Sequence, residues 1–160
     1  MDNQSSNNVE IALIQHQLLS CNAEIKIKPS PDMGGNVEFS IGIATPKVPG
    51  ILKRGDSFTL GIQIDITGKI KDTDDIAFYV TCKMEGLYHI VNCDDKGIPT
   101  INGFNLWTLS ASQLCPLVAQ FATDMVSRMG YKNIIVPAFI PSMVTEQIIP
   151  EKKLSKKSKK

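Results

Sequence analysis

The sequence has 160 residues, of which 42% are apolar and 21% charged, with a formal net charge of +1. This length fits one domain with its own core, and the composition excludes a wholly disordered chain, a collagen-like chain and a disulfide scaffold. No apolar run reaches the roughly 18 residues of a membrane span, and residues 1–10 lack the basic start of a secretory signal. We therefore expect a cytoplasmic protein without membrane insertion.

The net charge is the sum of two unlike parts. Six of the 17 basic residues are lysines within the last nine positions, so the tail carries +6. The other 11 basic residues and the 16 acidic residues leave the body at −5. This density of lysine predicts a disordered tail over residues 151–160, after a single domain over residues 1–150.

Alternation of apolar and polar residues predicts four strands in the first 90 residues. The first runs from Ile11 to Ile27, with apolar residues mostly at odd positions and a bend at its polar middle. After a Pro/Gly loop, a shorter strand spans Val37–Ile43. The clearest alternation covers Phe58–Thr67 and resumes over Ile76–Ile90 after the turn sequence KDTDD, which predicts an antiparallel hairpin.

In the second half of the chain, apolar residues recur at every third or fourth position instead of at every second one. Apolar residues from Leu114 to Met129 form the stripe of an amphipathic helix that begins near Asn105, and Gly130 stands where a C-terminal cap belongs. Pro116 lies inside this pattern and predicts a kink.

The remaining segments complete the expected architecture. Ile134–Phe139 contains Pro137 and is interpreted as an extended connection on the core, and a short second helix is expected over Ser142–Ile149. The fold class is therefore α+β, with a four-stranded antiparallel sheet, one long kinked helix and a short C-terminal helix.

The residues that carry chemistry are few. The four cysteines have no CxxC spacing, the two histidines no HxxxH spacing, and the sequence has neither a GxSxG elbow nor a Gly-rich phosphate loop. We expect no metal, no cofactor and no catalytic residues, hence a protein that is not an enzyme. Cys21, Cys82 and Cys115 are interpreted as buried core residues.

Apolar surface is in surplus instead. Val37–Ile43 and the stretch Ile134–Ile140, with apolar residues up to Ile149, exceed what one helix on a four-stranded sheet covers easily. Such surplus marks an oligomer interface or a groove for an apolar ligand, unless these residues simply close the core.

A resemblance to a family rests on the segment LCPLVAQFATDMVSRMGYKNIIVPAFI at 114–140. It resembles the signature region of SecB, the bacterial export chaperone, in which a Cys-Pro in a kinked helix precedes an apolar stripe and a Pro-containing linker. The matching residues are Cys115, Pro116, Met125, Val126, Ser127, Arg128, Val136, Pro137 and Phe139. The strand at 76–90, with Gly86, is similar to the family's fourth strand, and the likeness covers roughly residues 10–145.

The resemblance implies a chaperone that binds unfolded polypeptide without a reaction and assembles as a homo-oligomer, a dimer or a tetramer. By position it implies a client-binding groove lined by Val37, Phe39, Ile41, Phe78, Phe139, Ile140, Met143 and Val144. The oligomer interface would include Val80, Cys82, Met84, Cys115, Phe121 and Met125.

Three departures from the family matter. The acidic sheet positions by which the family docks on the SecA motor are here Cys21, Ile25 (or Glu24, one register away) and Thr81, which argues against that partner. The second helix is shorter, and the tail is Lys-rich rather than acidic. These differences suit a specialised SecB-like chaperone, such as one of a toxin–antitoxin system, at least as well as a general export factor.

Two other functions stay open. An oligomeric adaptor or scaffold would bind one folded partner, such as a toxin–antitoxin-linked protein, with the Lys tail contributing on an acidic surface. Nucleic-acid binding through the tail is disfavoured because no aromatic stacking residues accompany its lysines.

Overall fold

The computed structural model describes residues 9–45, 50–73, 75–99 and 104–138. The strands and the helix in this part of the chain are β1 (Glu10–Ile25), β2 (Gly35–Ala44), β3 (Ile51–Leu52), β4 (Ser57–Ile70), β5 (Ile76–Asn92), β6 (Ile98–Pro99) and α1 (Phe104–Arg128). The expected short second helix and the Lys-rich tail lie outside the described residues.

The four long strands form one antiparallel sheet in the order β1-β5-β4-β2. The predicted hairpin is confirmed as β4 and β5, which occupy the centre of the sheet, whereas β1 and β2 are its edges. The small β3–β6 pair, in which Ile51 opposes Pro99 and Leu52 opposes Ile98, was not expected from the sequence. Two residues are too few to show an alternation of apolar and polar positions, so these strands carry no periodic signal.

Helix α1 covers one face of the sheet. The alternate positions of β4 and β5 that the sequence predicts to be apolar are buried on this face from Phe58 to Ile66 and from Phe78 to Ile90, whereas Ile76 is half-buried. The helix presents Leu106, Ser110, Ala111, Leu114, Cys115, Val118, Ala119, Ala122 and Val126 as buried residues. Several of these are small, which lets the helix lie close to the strands. The α+β class with a four-stranded sheet and one long helix is therefore confirmed.

One polar contact fixes the helix on the sheet. The hydroxyl of Tyr88, which is fully buried on β5, donates to the backbone carbonyl of Ser110 at 2.7 Å. The Ser110 hydroxyl in turn donates to the Leu106 carbonyl at 2.8 Å. Burial raises the pKa of Tyr88, so the phenol stays protonated as a donor. The Tyr88 ring also stacks on Phe58, with centroids 5.3 Å apart.

The residues of β1 that face the core are odd-numbered in some parts of the strand and even-numbered in others. Leu13 opposes Tyr88, Leu18 opposes Met84 and Cys21 opposes Cys82, with shifts of register between Leu13 and Gln15 and between Leu18 and Ser20. Directly opposed residues share a face of the sheet, so the inward face moves from odd to even positions and back. The expected odd-numbered face is therefore wrong in the middle of β1.

The end of α1 has the predicted cap. Gly130 adopts φ +95°, and its N–H donates to the Ser127 carbonyl at 3.0 Å, while the N–H of Tyr131 reaches the Val126 carbonyl at 3.3 Å. These two bonds form a Schellman motif. The helix assignment continues through Pro116, and the kink at that residue stays a prediction.

Candidate functional site

A cavity of about 690 Å³ opens at the end of the sheet where β1 gives way to β2. Three groups of residues line it: the β1–β2 loop with the start of β2 (Pro29, Ser30, Pro31, Met33, Gly34, Gly35, Asn36 and Val37), the strand ends Gly68, Lys69, Ala77 and Phe78, and residues 130–134 after α1. We call it the loop cavity. It combines apolar side chains with exposed backbone, and it is open to solvent.

The apolar floor of the loop cavity depends on a contact between a glycine and an aromatic ring. Phe78 is 2% exposed, and its ring lies directly against Gly68 of β4. A Cβ at position 68 would overlap the Phe78 ring, so only glycine leaves room for it. On its other side Phe78 packs against Tyr131, with ring centroids 4.3 Å apart.

Tyr131 ties the segment after α1 to the sheet. Its hydroxyl is within hydrogen-bond reach of the carbonyl oxygens of Ile27 and Ala77, the latter at 3.2 Å. Burial raises the pKa of Tyr131, which keeps this donor protonated. Val136 continues the attachment, since it is buried and its N–H donates to the Thr123 hydroxyl at 3.1 Å. The extended connection predicted on the core is thus confirmed as far as the described residues reach.

The charged lining residues of the loop cavity are basic. Lys69 and Lys132 line it, and no Asp or Glu is among the described lining residues. Lys69 forms an ion pair with Glu38 on the neighbouring strand, with Nζ and Oε1 2.7 Å apart. Glu38 is largely exposed, so solvent screens this pair strongly.

The structure brings together part of the predicted client-binding set. Val37 and Phe78 both line the loop cavity, whereas Phe39 and Ile41 are half-buried farther along β2 and do not. Phe139, Ile140, Met143 and Val144 lie outside the described residues. The β1–β2 loop and Tyr131 also line the cavity, and the sequence did not predict either contribution. An aromatic residue directly after a Gly cap was the one available signal for the latter.

The predicted interface residues fall into two groups. Val80, Cys82, Met84 and Cys115 are buried within the single chain between the sheet and α1, and Phe121 and Met125 are half-buried on the helix. The first four are thus occupied in core packing, and their role in assembly stays a prediction. Burial raises the pKa of Cys115 to about 11, as expected of a core thiol rather than a reactive one.

Exposed apolar side chains are concentrated on the edge strand β1. Ile14, Leu18, Leu19 and Ile25 are all exposed, Ile14 to 61%. The apolar residues of β2, which the sequence suggested as surplus, are instead half-buried. The largest group of exposed apolar side chains among the described residues therefore lies on β1, at the edge of the sheet opposite β2.

Two classes of site are absent from the part of the chain that the structure describes. No group of three or more His, Cys, Asp or Glu side chains there is arranged to hold a metal ion. Among the same residues, no helix is both long and apolar enough to cross a membrane.

Comparison with known proteins identifies the architecture. The chain is similar to the SecB-like chaperone Rv1957 of Mycobacterium tuberculosis, solved in complex with a ChAD peptide from the Rv1956 HigA1 antitoxin, with a TM-score of 0.58 and 14% identity over 79% of this chain and 88% of that one. A protein of unknown function from Streptococcus agalactiae gives a TM-score of 0.37 and 12% identity over 81% of this chain and 98% of that one. No protein-family model and no curated protein matches the sequence. The first likeness shows that this chain has a SecB-like α+β fold.

Proposed function

We propose that this protein is a chaperone of the holdase type, which binds non-native polypeptide and performs no reaction. The observation that carries the proposal is the loop cavity. Its half-buried lining residues Met33, Val37 and Ile134 offer apolar contact, which is non-directional and accepts many side chains, and the buried Phe78 ring completes the floor. Its volume of about 690 Å³ suits a few side chains of an extended segment rather than a folded domain.

The position of β2 supports an extended ligand. Gly35, Asn36 and Val37 line the loop cavity and begin β2, which pairs with β4 on one side and forms an edge of the described sheet on the other. A polypeptide that leaves the cavity along β2 would find unpaired backbone N–H and C=O groups. Addition of a strand at such an edge gives affinity with little dependence on sequence.

The structural neighbour supports the class of ligand. Rv1957 was solved with a peptide bound, and its peptide comes from an antitoxin. We extend to this chain the ability to bind a polypeptide segment, in the cytoplasm and as a homo-oligomer. A role dedicated to one client, rather than general export through SecA, agrees with the departures seen in the sequence.

Two adjacent residues provide a matched test. Ile134 lines the loop cavity and is half-buried, whereas Ile135 lies outside the lining and is 78% exposed. Ile134→Lys should weaken binding of a labelled, permanently unfolded polypeptide at least tenfold, because a charge would enter an apolar floor. Ile135→Lys should leave binding unchanged. Fluorescence anisotropy measures both, and aggregation of a slowly folding client should be delayed by the wild type and by Ile135→Lys alone.

Other outcomes would reject the proposal. Equal binding of unfolded polypeptide by Ile134→Lys and Ile135→Lys would show that the loop cavity is not the binding site. If the wild type ignored unfolded polypeptide and bound one native protein in fixed stoichiometry, the adaptor function would replace the holdase.

A further inference from the structure

The two cysteines Cys21 and Cys82 lie directly opposite each other on neighbouring antiparallel strands. Their Sγ atoms are 3.4 Å apart, and both residues are free thiols in the structure. Directly opposed residues of an antiparallel pair have Cα atoms about 4.5–5.5 Å apart, within the range that a disulfide spans. A bond of about 2 Å therefore requires rotation of the side chains and small shifts of backbone, without any change of register.

The surroundings distinguish this pair from two core thiols that happen to touch. Cys82 is completely buried, but Cys21 is only half-buried. Cys21 is therefore the member of the pair that is accessible from solvent. Burial, followed by the hydrogen bond with Cys21, raises the pKa of Cys82 to about 12, so Cys82 is a poor first nucleophile.

The position of Cys21 on β1 gives the pair a structural role. Every residue of β1 from Ile14 to Ile25 is exposed except Cys21, which is half-buried. This part of the edge strand is thus held chiefly by backbone pairing to β5. A covalent bond at Cys21 would secure the strand where side-chain packing is thin.

We propose that Cys21 and Cys82 form a reversible disulfide that ties the edge strand β1 to the central strand β5, with a small-molecule disulfide such as oxidised glutathione as the oxidant. The inference is independent of polypeptide binding at the loop cavity. It assigns an oxidation site to two residues that the sequence marks only as core.

The exchange proceeds in two displacements. The Cys21 thiolate attacks one sulfur of the small disulfide; a mixed disulfide forms, the original S–S bond breaks and one small thiol leaves. Cys82 attacks Cys21 Sγ, its proton passes to the departing small thiolate, and the second small thiol leaves. The two protein thiols are oxidised, and one small disulfide is reduced to two thiols. Excess reduced thiol reverses both steps.

Mass spectrometry of the full chain tests the proposal. After equilibration with oxidised glutathione and alkylation of the remaining thiols with N-ethylmaleimide in denaturant, which exposes the buried cysteines, two alkylated sites should be lost. Digestion without reductant should give a peptide that links Cys21 to Cys82. The melting temperature should rise by about 5 °C or more, because the bond closes a long loop in the unfolded chain. Dithiothreitol should return both readouts to their starting values.

Variants identify the residues. Cys21→Ser and Cys82→Ala should each abolish the link and the rise in melting temperature, and the half-buried Cys21 allows the test even if the core variant fails to fold. Cys93→Ser is the control and should retain both. A persistent glutathione adduct on Cys21, a bond between two chains, a link to another cysteine, or four alkylated thiols after treatment would each overturn the proposal.

Discussion

Gly68 and Phe78 show how one position without a side chain shapes the loop cavity. The Phe78 ring occupies the space above Gly68 that a Cβ would fill, and it then contacts Tyr131. Gly68→Ala should therefore cost about 1–3 kcal/mol of unfolding free energy, typical of an overpacked core. It should also weaken peptide binding, because the displaced ring forms the floor. Urea unfolding and anisotropy measure the two effects.

Gly34 provides the control for that substitution. It also lines the loop cavity, but a Cβ there would meet only the Lys71 side chain, at 3.8 Å. Gly34→Ala should therefore remain within about 0.5 kcal/mol of the wild type. Equal destabilisation by the two alanines would show that the Phe78 ring does not depend on Gly68.

At the scale of the elements, the end of α1 and the β1–β2 loop depend on each other. A Cβ on Gly130 would meet Cγ of Pro29 at 2.9 Å, in addition to the strain of φ +95°. Gly55 has a similar φ of +93° with nothing near its Cβ position. Both alanine variants should lose about 1 kcal/mol or more to the left-handed backbone, and Gly130→Ala should lose more. Thermal unfolding gives the difference, which measures the contact with Pro29.

Peptide binding should also differ between Gly130→Ala and Gly55→Ala. Gly130→Ala moves the segment that supplies Tyr131 and Ile134 to the loop cavity, so we expect weaker peptide binding. Gly55→Ala lies in the turn before β4 and should bind normally. Identical affinities in the two variants would contradict a coupling between the helix cap and the cavity.

These elements also show what the sequence could predict. The hairpin of β4 and β5 was predictable because β4 alternates apolar and polar residues without a break and β5 resumes the alternation after a turn sequence. The Gly cap was predictable because its position follows a clear apolar stripe. The shifts of register in β1 were not, since residues such as Leu18 and Leu19 are both apolar and either could face the core. More than half of the lining residues of the loop cavity lie in loops, whose placement depends on tertiary contacts such as that of Tyr131 with the Ile27 carbonyl. Val37 and Phe78 were named through the resemblance to SecB, by their positions on the second and fourth strands.

At the scale of the whole molecule, one helix and one sheet leave an edge of the described structure uncovered. β1 is a 16-residue edge strand, and Ile14 and Leu19, at its two central shifts of register, are exposed to 61% and 45%. A long edge with apolar side chains is a template for pairing with another chain unless something covers it. Since an identical edge is always available in a second copy, a two-fold pairing of β1 strands is the arrangement that closes it.

This argument predicts the response of the assembly to charge on β1. The wild type should show a mass above that of one chain in light scattering, and the double variant Ile14→Lys/Leu19→Lys should shift toward the single-chain mass, because burial of two charges at the new contact opposes pairing. Ile135→Lys, which changes an apolar residue exposed to 78% outside β1, should keep the wild-type mass. A wild type that scatters as a single chain would contradict the predicted assembly. An assembled double variant would place the contact elsewhere, with the half-buried helix residues Phe121 and Met125 as the next surface to alter.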